Sequence, residues 1–417
     1  MKNVLLINSN REIAARMLQD REDIRLSVIT PLKQQGYYRG GTDVEVVDSI
    51  ADLTQVRLAA LRVRERNPFE YVVSPAEWSV QAGGYIRSYF GLPGIDYKVA
   101  NAFSNKYVMK QELAAAGLPV ASFRLLSRLT DALAAGDELG WPMVVKRACG
   151  GGSGYVLAVR DADHLRSLAT DDSTARLRAA PFPLMAEELI DIEAEFHCDG
   201  VITGGKVRFA PVSRYFKPVL QSVGGVIGSY TLPDDHLETR IISDLHDRVV
   251  NALGLTDGVT HLEVFKCSRG YVIGEIACRP GGGGIPEQMQ HQYGVDLWNI
   301  FLAASMNETV DIDTSPRSDH MIQYMLPRPA GTVTAISSTE QLLSLPGVVH
   351  ADVKTKVGDV IEGPLDSSIY AGVVLMRAES ETQVHERVAE INSQFRLEVA
   401  EGGRQPRTPA TGISKNA

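Results

Sequence analysis

The sequence predicts an α/β fold: a parallel, doubly wound first domain followed by a larger α+β body. Three observations carry this. Over residues 1–100, short branched-apolar runs alternate with helix-spaced segments, the order that builds a parallel sheet with helices on its faces. From residue 101, helices with clear stop signals alternate with strands and two glycine-rich turns. Beyond Pro316, short strands and turns dominate, with one helix over 382–395. The 417 residues are enough for roughly three domains at about 150 residues each.

In chain order, residues 4–7, 26–29, 44–47 and 71–74 read as strands. Between them Ile13, Met17 and Leu18, then Val56, Ala59, Ala60 and Val63, recur at helical spacing. The first strand runs into Asn8-Ser9-Asn10-Arg11 without a GxGxxG, which argues against a nicotinamide-dependent dehydrogenase. Residues 101–116 read as a helix stopped by Gly117 and Pro119. Strands at 122–126, 143–146 and 155–159 are interleaved with helices at 129–139 and 161–168. Strands follow at 184–188 and 195–199, then strands and loops over 206–231. A helix at 237–253 ends at Gly254, and strands 258–267 and 270–278 are joined by the Ser268-Arg269-Gly270 turn. Residues 295–306 form one more helix, and the tail from Gly402 is expected to be flexible.

Lys and Arg number 42 against 51 Asp and Glu, a net charge of −9. That balance argues against broad binding to nucleic acid or anionic lipid and leaves room for a local basic pocket. The apolar start at Val4 to Ile7 is too short for a signal peptide, and no run approaches the roughly 20 apolar residues of a membrane span. The expectation is a cytoplasmic protein acting on small molecules, with monomer and homodimer both open. Cys149, Cys198, Cys267 and Cys278 form no CxxC pair and read as reduced core thiols.

Four groups of residues can carry chemistry. The first is Gly150, Gly151, Gly152, Ser153 and Gly154 between two strands, where amides can approach an anion closely; it lacks the Lys-Ser/Thr ending and the helix of a Walker A loop. It reads equally as a plain hairpin. The second is Lys106, opening a helix, and Lys146, closing the apolar run from Trp141 to Val145, where a lysine needs a partner charge. The third is acidic residues within apolar runs: Glu187, Glu188, Glu195, Glu263 and Glu275. If the last two strands pair as a hairpin, Glu263 and Glu275 come into register, as two hard oxygen donors for Mg²⁺ or as a solvated salt-bridged face. The fourth is Arg279, just before Pro280 and four glycines, which can fork onto a carboxylate or phosphate or lie at the surface.

Taken together, these features resemble the ATP-grasp superfamily over about residues 101–308. The matching phrases are Asn105-Lys106, Pro142 to Lys146 with the glycine run, Glu187-Glu188-Leu189-Ile190 with Glu195, and Glu263 with Glu275-Ile276-Ala277-Cys278-Arg279-Pro280-Gly281-Gly282. The resemblance implies an N-terminal domain at 1–100, a small lobe at 101–185, a large lobe at 186–315, a β-rich subdomain at 316–401 and a tail at 402–417. It implies that Lys106 and Lys146 contact ATP phosphates, and that Gly150 to Gly154 cover the γ-phosphate. Glu187, Glu188, Leu189 and Ile190 would line adenine, and Glu195 would hold the ribose. Glu263 and Glu275 would bind Mg²⁺, and Arg279 would steady the transferring phosphoryl group. The family often places Asn where this chain has Ala277, so one ion completed by water, or two ions bridged by Glu275, both fit. Within the superfamily the phrases around Glu195, His261 and Arg279 look most like bacterial L-amino-acid ligases, which join a carboxylate to an amine through an acyl phosphate. Arg214, His261, Gly282 and Gly283 are the substrate-pocket candidates; Arg214 also fits a surface salt bridge, and His261 fits either a base for the amine or a structural role. The alternatives are a carboxylase-type enzyme using bicarbonate and a nucleotide-binding protein without turnover.

Overall fold

The computed structural model describes residues 1–151, 155–180, 182–222, 225–312, 314–361 and 367–400. The first domain is a parallel sheet of β1 (Lys2–Ile7), β2 (Ile24–Pro31), β3 (Asp43–Val47) and β4 (Tyr71–Val73) in the order β3-β2-β1-β4. The helix Leu53–Arg66 buries Val56, Ala59, Ala60 and Val63, the stripe that its spacing marks. The chain leaves β1 toward β2 on one side while β4 lies on the other. That reversal opens a crevice at the carboxyl ends of β1 and β4.

The small lobe is an antiparallel sheet of β5 (Phe123–Leu126), β6 (Met143–Arg147), β7 (Leu157–Val159) and β8 (Leu184–Glu188), ordered β5-β8-β6-β7. The large sheet begins with β9 (Ala194–Thr203), β10 (Lys206–Phe209), β11 (Val212–Tyr215), β12 (Ile227–Thr231), β13 (Gly258–Cys267) and β14 (Gly270–Ala277). Then come β15 (His320–Leu326), β16 (Gly331–Ile336), β17 (Val348–Val353), β18 (Val360–Ile361), β19 (Gly372–Ala378) and β20 (Leu397–Ala400). The large sheet runs β14-β13-β9-β11-β12-β15-β19-β17, with β10 on β9; β18-β16-β20 form a small separate sheet.

Two boundaries read from the sequence move. The division at 185/186 falls inside β8, whose residues pair with β5 and β6, so the small lobe extends to Glu188. The division at 315/316 is not a break in the sheet, because β15 pairs with β12 and β19 with β15. The strand His320–Leu326, buried along its whole length although it carries His320 and Gln323, is a central strand of the sheet.

The helix expected over 101–116 is two helices, Tyr97–Ala102 and Lys106–Ala115, because Asn105 turns its side chain onto the amides of Tyr107 and Val108 and starts a new one. Among the described residues, two helices of nine or more residues were not read. Glu77–Phe90 carries Gly83 and Gly84, which disguise it; a Cβ on Gly84 would lie 2.4 Å from Ala100, so the glycine allows the close crossing with Tyr97–Ala102. Ile285–Tyr293 follows the four-glycine run, where Gly283 and Gly284 at φ +63° and +92° turn the chain into its first turn. All four cysteines are buried and free. Among the described residues no helix is long and apolar enough to cross a membrane.

Candidate active site

β6 and β8 form the small-lobe wall. Val145 points into the lobe core, so Lys146 points out of it. Its Nζ reaches Oε1 of Glu187 on the neighbouring strand at 3.0 Å, and Nζ of Lys110 lies 3.6 Å from the same oxygen. Burial alone would raise the Glu187 pKa, but Lys110 and Lys146 hold it below the ordinary carboxylate value. Lys110 is 1% exposed and its pKa is lowered, by burial first. Glu188 turns the other way, its Oε1 taking bonds from Arg269 at 2.8 Å and the Ser122 amide at 3.1 Å.

Lys106 ties the lobes together. Its amide donates to the Ala148 carbonyl at 2.7 Å, and its Nζ donates to the Gly150 carbonyl and pairs with Glu275 at 2.8 Å. Coulombic attraction from Glu275 and Glu77 outweighs burial and raises its pKa, so it stays charged.

The opposite wall is β9, β13 and β14. Side chains alternate in direction along a strand, so Glu195, His197 and Asp199 share one face of β9, as His261 and Glu263 do on β13. Phe196, Cys198, Leu262 and Val264 fill the core on the other face. Glu263 lies directly across from Glu275, with a register shift just beyond it. A buried hydrogen-bond chain runs beneath them. His261 Nδ1 contacts Asp199 Oδ1 at 2.9 Å, Asp199 Oδ2 contacts His197 Nδ1 at 2.6 Å, and His197 Nε2 contacts Ser229 Oγ at 2.8 Å. Ser229 reaches Gln323, whose amide donates to the Gly283 carbonyl. His261 Nε2 faces Glu263 at 3.6 Å, so both ring nitrogens face carboxylates. Asp199 overcomes the effect of burial and raises the His261 pKa to about 10. That surrounding favours the imidazolium at neutral pH.

Arg279 leaves β14 and turns to the first domain. Its Nε and Nη2 contact Oε2 of Glu77 at 2.8 and 2.7 Å, and its Nη1 donates to the Pro280 carbonyl at 3.0 Å. Glu77 opens the helix that follows β4, at the crevice of the parallel sheet.

The three parts enclose one cleft of about 700 Å³. Lys106, Lys146, Gly150, Gly151, Glu187, Glu188, Leu189, Ile190 and Glu195 line it, as do His261, Glu263, Glu275, Arg279, Gly282 and Gly283. Arg214 does not. It lies across from Phe196 and Tyr230, on the core-side face of β11, and bonds Tyr230; its neighbour Tyr215 is the residue that faces the cleft. Gly152, Ser153 and Gly154 lie outside the described residues, as does the 402–417 tail. Sequence reasoning missed Lys110, Asp199, Glu77 and Arg11. Helical spacing from Lys106 marks Lys110, and the period-two run from Glu195 marks Asp199. No local signal marks Glu77, 202 residues from its partner Arg279.

The acidic side of the cleft suits a divalent cation. Burial, and then the neighbouring Glu263, raise the Glu195 pKa, while His261 and Lys106 hold Glu263 below the ordinary carboxylate value despite burial. Glu263 and Glu275 are hard oxygen donors side by side, the set that Mg²⁺ takes alongside phosphate oxygens.

Comparison with known proteins agrees with this geometry. Residues 111–290 match the ATP-grasp domain, and residues 323–400 match the L-amino acid ligase C-terminal domain 2. The L-arginine-specific L-amino acid ligase of Bacillus subtilis is 32% identical over 408 residues, 96% of this chain and 98% of that protein. An L-amino acid ligase from Bacillus licheniformis superimposes with a TM-score of 0.76 at 18% identity, over 96% of this chain and 99% of that one. The N5-carboxyaminoimidazole ribonucleotide synthetase of Thermotoga maritima superimposes at 0.70 and 16% identity, over 96% and 100%. The chain therefore belongs to the ATP-grasp superfamily and, within it, to the L-amino-acid ligases, enzymes that use ATP to join a carboxylate to an amine.

Proposed function

We propose that this ligase joins two α-amino acids through an acyl phosphate, and that the cleft residues named above carry the reaction. One observation supports this most directly: Lys146 and Glu275, 129 positions apart in the chain, face the same cleft together with Lys106, Glu263 and Arg279. Leu189 and Ile190, at the junction between the lobes, offer backbone groups and an apolar surface to adenine. Glu195, anchored by the Val219 amide at 2.8 Å, faces the ribose hydroxyls. Lys106 and Lys146 take the phosphate oxygens. Glu263 and Glu275 would hold Mg²⁺, which when bound neutralises charge on the phosphates. With Ala277 in place of a third protein ligand, either water would fill in or Glu275 would serve two ions.

In the first step a carboxylate oxygen attacks the γ-phosphorus, the bond to the β-phosphate oxygen breaks, and ADP leaves. This step needs positioning and charge neutralisation rather than covalent help from the protein. Arg279, held in place by Glu77, is aimed at the transferring group. In the second step the amine nitrogen attacks the acyl carbon, the bond to the phosphate oxygen breaks, inorganic phosphate leaves with the electron pair, and the nitrogen gives up one proton to the departing phosphate or solvent. The Asp199–His261 pair keeps Glu263 in position through both steps.

The test is a phosphate-release screen of the full chain with ATP, Mg²⁺ and pairs of amino acids, with products weighed by mass spectrometry. The expected product has the combined mass of two amino acids less one water. Phosphate release that depends on bicarbonate and ignores amino acids would point to carboxylation instead. Nucleotide binding without turnover on any pair would refute a catalytic role.

A further inference from the structure

Among the described cations of the cleft Arg11 alone has neither an ion pair nor a ring contact, although the Nε of Arg147 is buried without an acceptor as well. Lys106 pairs with Glu275, Lys146 with Glu187 and Arg279 with Glu77, while Arg147 stacks over the rings of Trp78 and Tyr155. Arg11 lines the same cleft and has no acceptor for its guanidinium; its Nε is buried and unpartnered. Its backbone is fixed, because its amide donates to Asn8 Oδ1 at 2.9 Å and its carbonyl accepts from Asn8 Nδ2 at 3.0 Å. Glu77 is nearby, with Oε2 on Arg279 and Oε1 buried without a donor. Both residues stand at the carboxyl ends of adjacent strands, β1 and β4, where the parallel sheet opens its crevice.

Arg11 is half-buried, its Nε is closed off from water without an acceptor, and its planar fork matches a carboxylate. Burial, and then Arg279, lower the Arg11 pKa to about 10, which leaves it charged at neutral pH. Two amino acids bring two α-carboxylates to the cleft. The donor's is consumed in the bond to phosphorus. The acceptor's stays anionic through both steps and needs a cation that is not occupied by phosphate.

We propose that Arg11 binds the α-carboxylate of the acceptor amino acid and so directs its nitrogen toward Arg279 and the free oxygen of Glu77. The first-domain crevice is then the acceptor subsite, and its ligand class is an α-amino acid with a free carboxylate. This rests on the ligase reading above.

The test compares two nucleophiles on the full-length enzyme with one fixed donor amino acid. Hydroxylamine has no carboxylate. Its nitrogen attacks the acyl carbon, the bond to phosphate oxygen breaks, one proton passes to solvent, and a hydroxamate records the acyl phosphate. Arg11→Met is expected to raise the acceptor KM about 10–100-fold, the loss of a charged hydrogen-bonded contact, and to lower the ratio of dipeptide to hydroxamate kcat/KM by the same factor. Arg11→Lys, which keeps the charge without the fork, should fall between. Wild-type enzyme should prefer an amino acid to its amide as acceptor, and Arg11→Met should erase that preference. An equal loss of dipeptide and hydroxamate, a rise in the donor KM instead, or a wild-type enzyme indifferent to the amide would each overturn the assignment. Absence of hydroxamate from wild-type enzyme would instead remove the ligase reading itself.

Discussion

Glu187 sits between Lys146 and Lys110, and the three charges serve different ends. Lys110 is 1% exposed, so its contact with Glu187 is what allows an ammonium to lie so deep. Lys146 has a side chain 15% exposed, lines the cleft and is free to turn to a phosphate. Substitution should separate these roles. Lys146→Met is expected to lower kcat about 10²–10³-fold, the usual effect of removing one donor to developing charge, with little change in denaturant midpoint because Glu187 keeps Lys110. Glu187→Ala leaves two lysines facing each other without a counter-ion and should cost about 3–5 kcal/mol in the same unfolding experiment. If Lys146→Met were the more destabilising of the two, the division of labour would be wrong. The lone partner charge for Lys146 was foreseeable from its place at the end of an apolar run; that Lys110 shares it depends on how a helix packs against β14, which no local pattern encodes.

At the scale of paired strands, β9 and β13 bring His197, Asp199 and His261 together in the middle of the large sheet. The alternation of apolar and polar residues made the facing of Glu263 and Glu275 legible, since a tight turn fixes the hairpin register. It could not reveal that β9 lies on the other side of β13, because strand order is set by packing far along the chain. That placement surrounds Asp199 with two imidazoles in a dry interior, where its carboxyl is held well below the ordinary range by His261 and His197 despite burial. The His261 pKa rises from 6.5 to about 10. A folded value above the ordinary one means that the stabilisation is complete below about pH 6.5 and is lost as the pH climbs through about 10. Asp199→Asn should therefore be less stable than wild type at pH 7, by about 3–5 kcal/mol for a broken buried pair, and the gap should narrow by pH 10. Urea unfolding of both proteins across that range checks it. Parallel stability curves would mean that His261 is neutral in the folded protein.

The whole molecule is built on unequal cores. One cluster joins Val4, Leu6, Val28 and Val73 of the first domain to Val201 and Val259 of the large sheet and to Trp298 and Phe301 of the helix Leu297–Ser305. The first domain and the large lobe therefore share one packed core, although the chain length suggested about three domains. The sheet of the small lobe has its own core, from Leu126 to Ala186, and meets the large lobe through a narrow seam, whereas the lobe's first helix sends Met109 and Leu113 into the large-lobe core. The Ile273 amide bonds the Pro119 carbonyl at 2.8 Å, Arg269 pairs with Glu188, and Lys106 pairs with Glu275. Exposed pairs such as the Arg269 bridge add little, so the seam is weak without ligand. Native-state hydrogen exchange should then show residues 123–147 opening at lower free energy than β9, β13 and β15. On the proposed function, nucleotide with Mg²⁺ would engage Lys146 on one side and Glu275 on the other. Saturation at about 100 times Kd should add about 2.7 kcal/mol of protection to the small lobe and less to the large one. Uniform protection with and without nucleotide would mean that the lobes unfold as one body, and that the cleft is preformed rather than closed by what it binds.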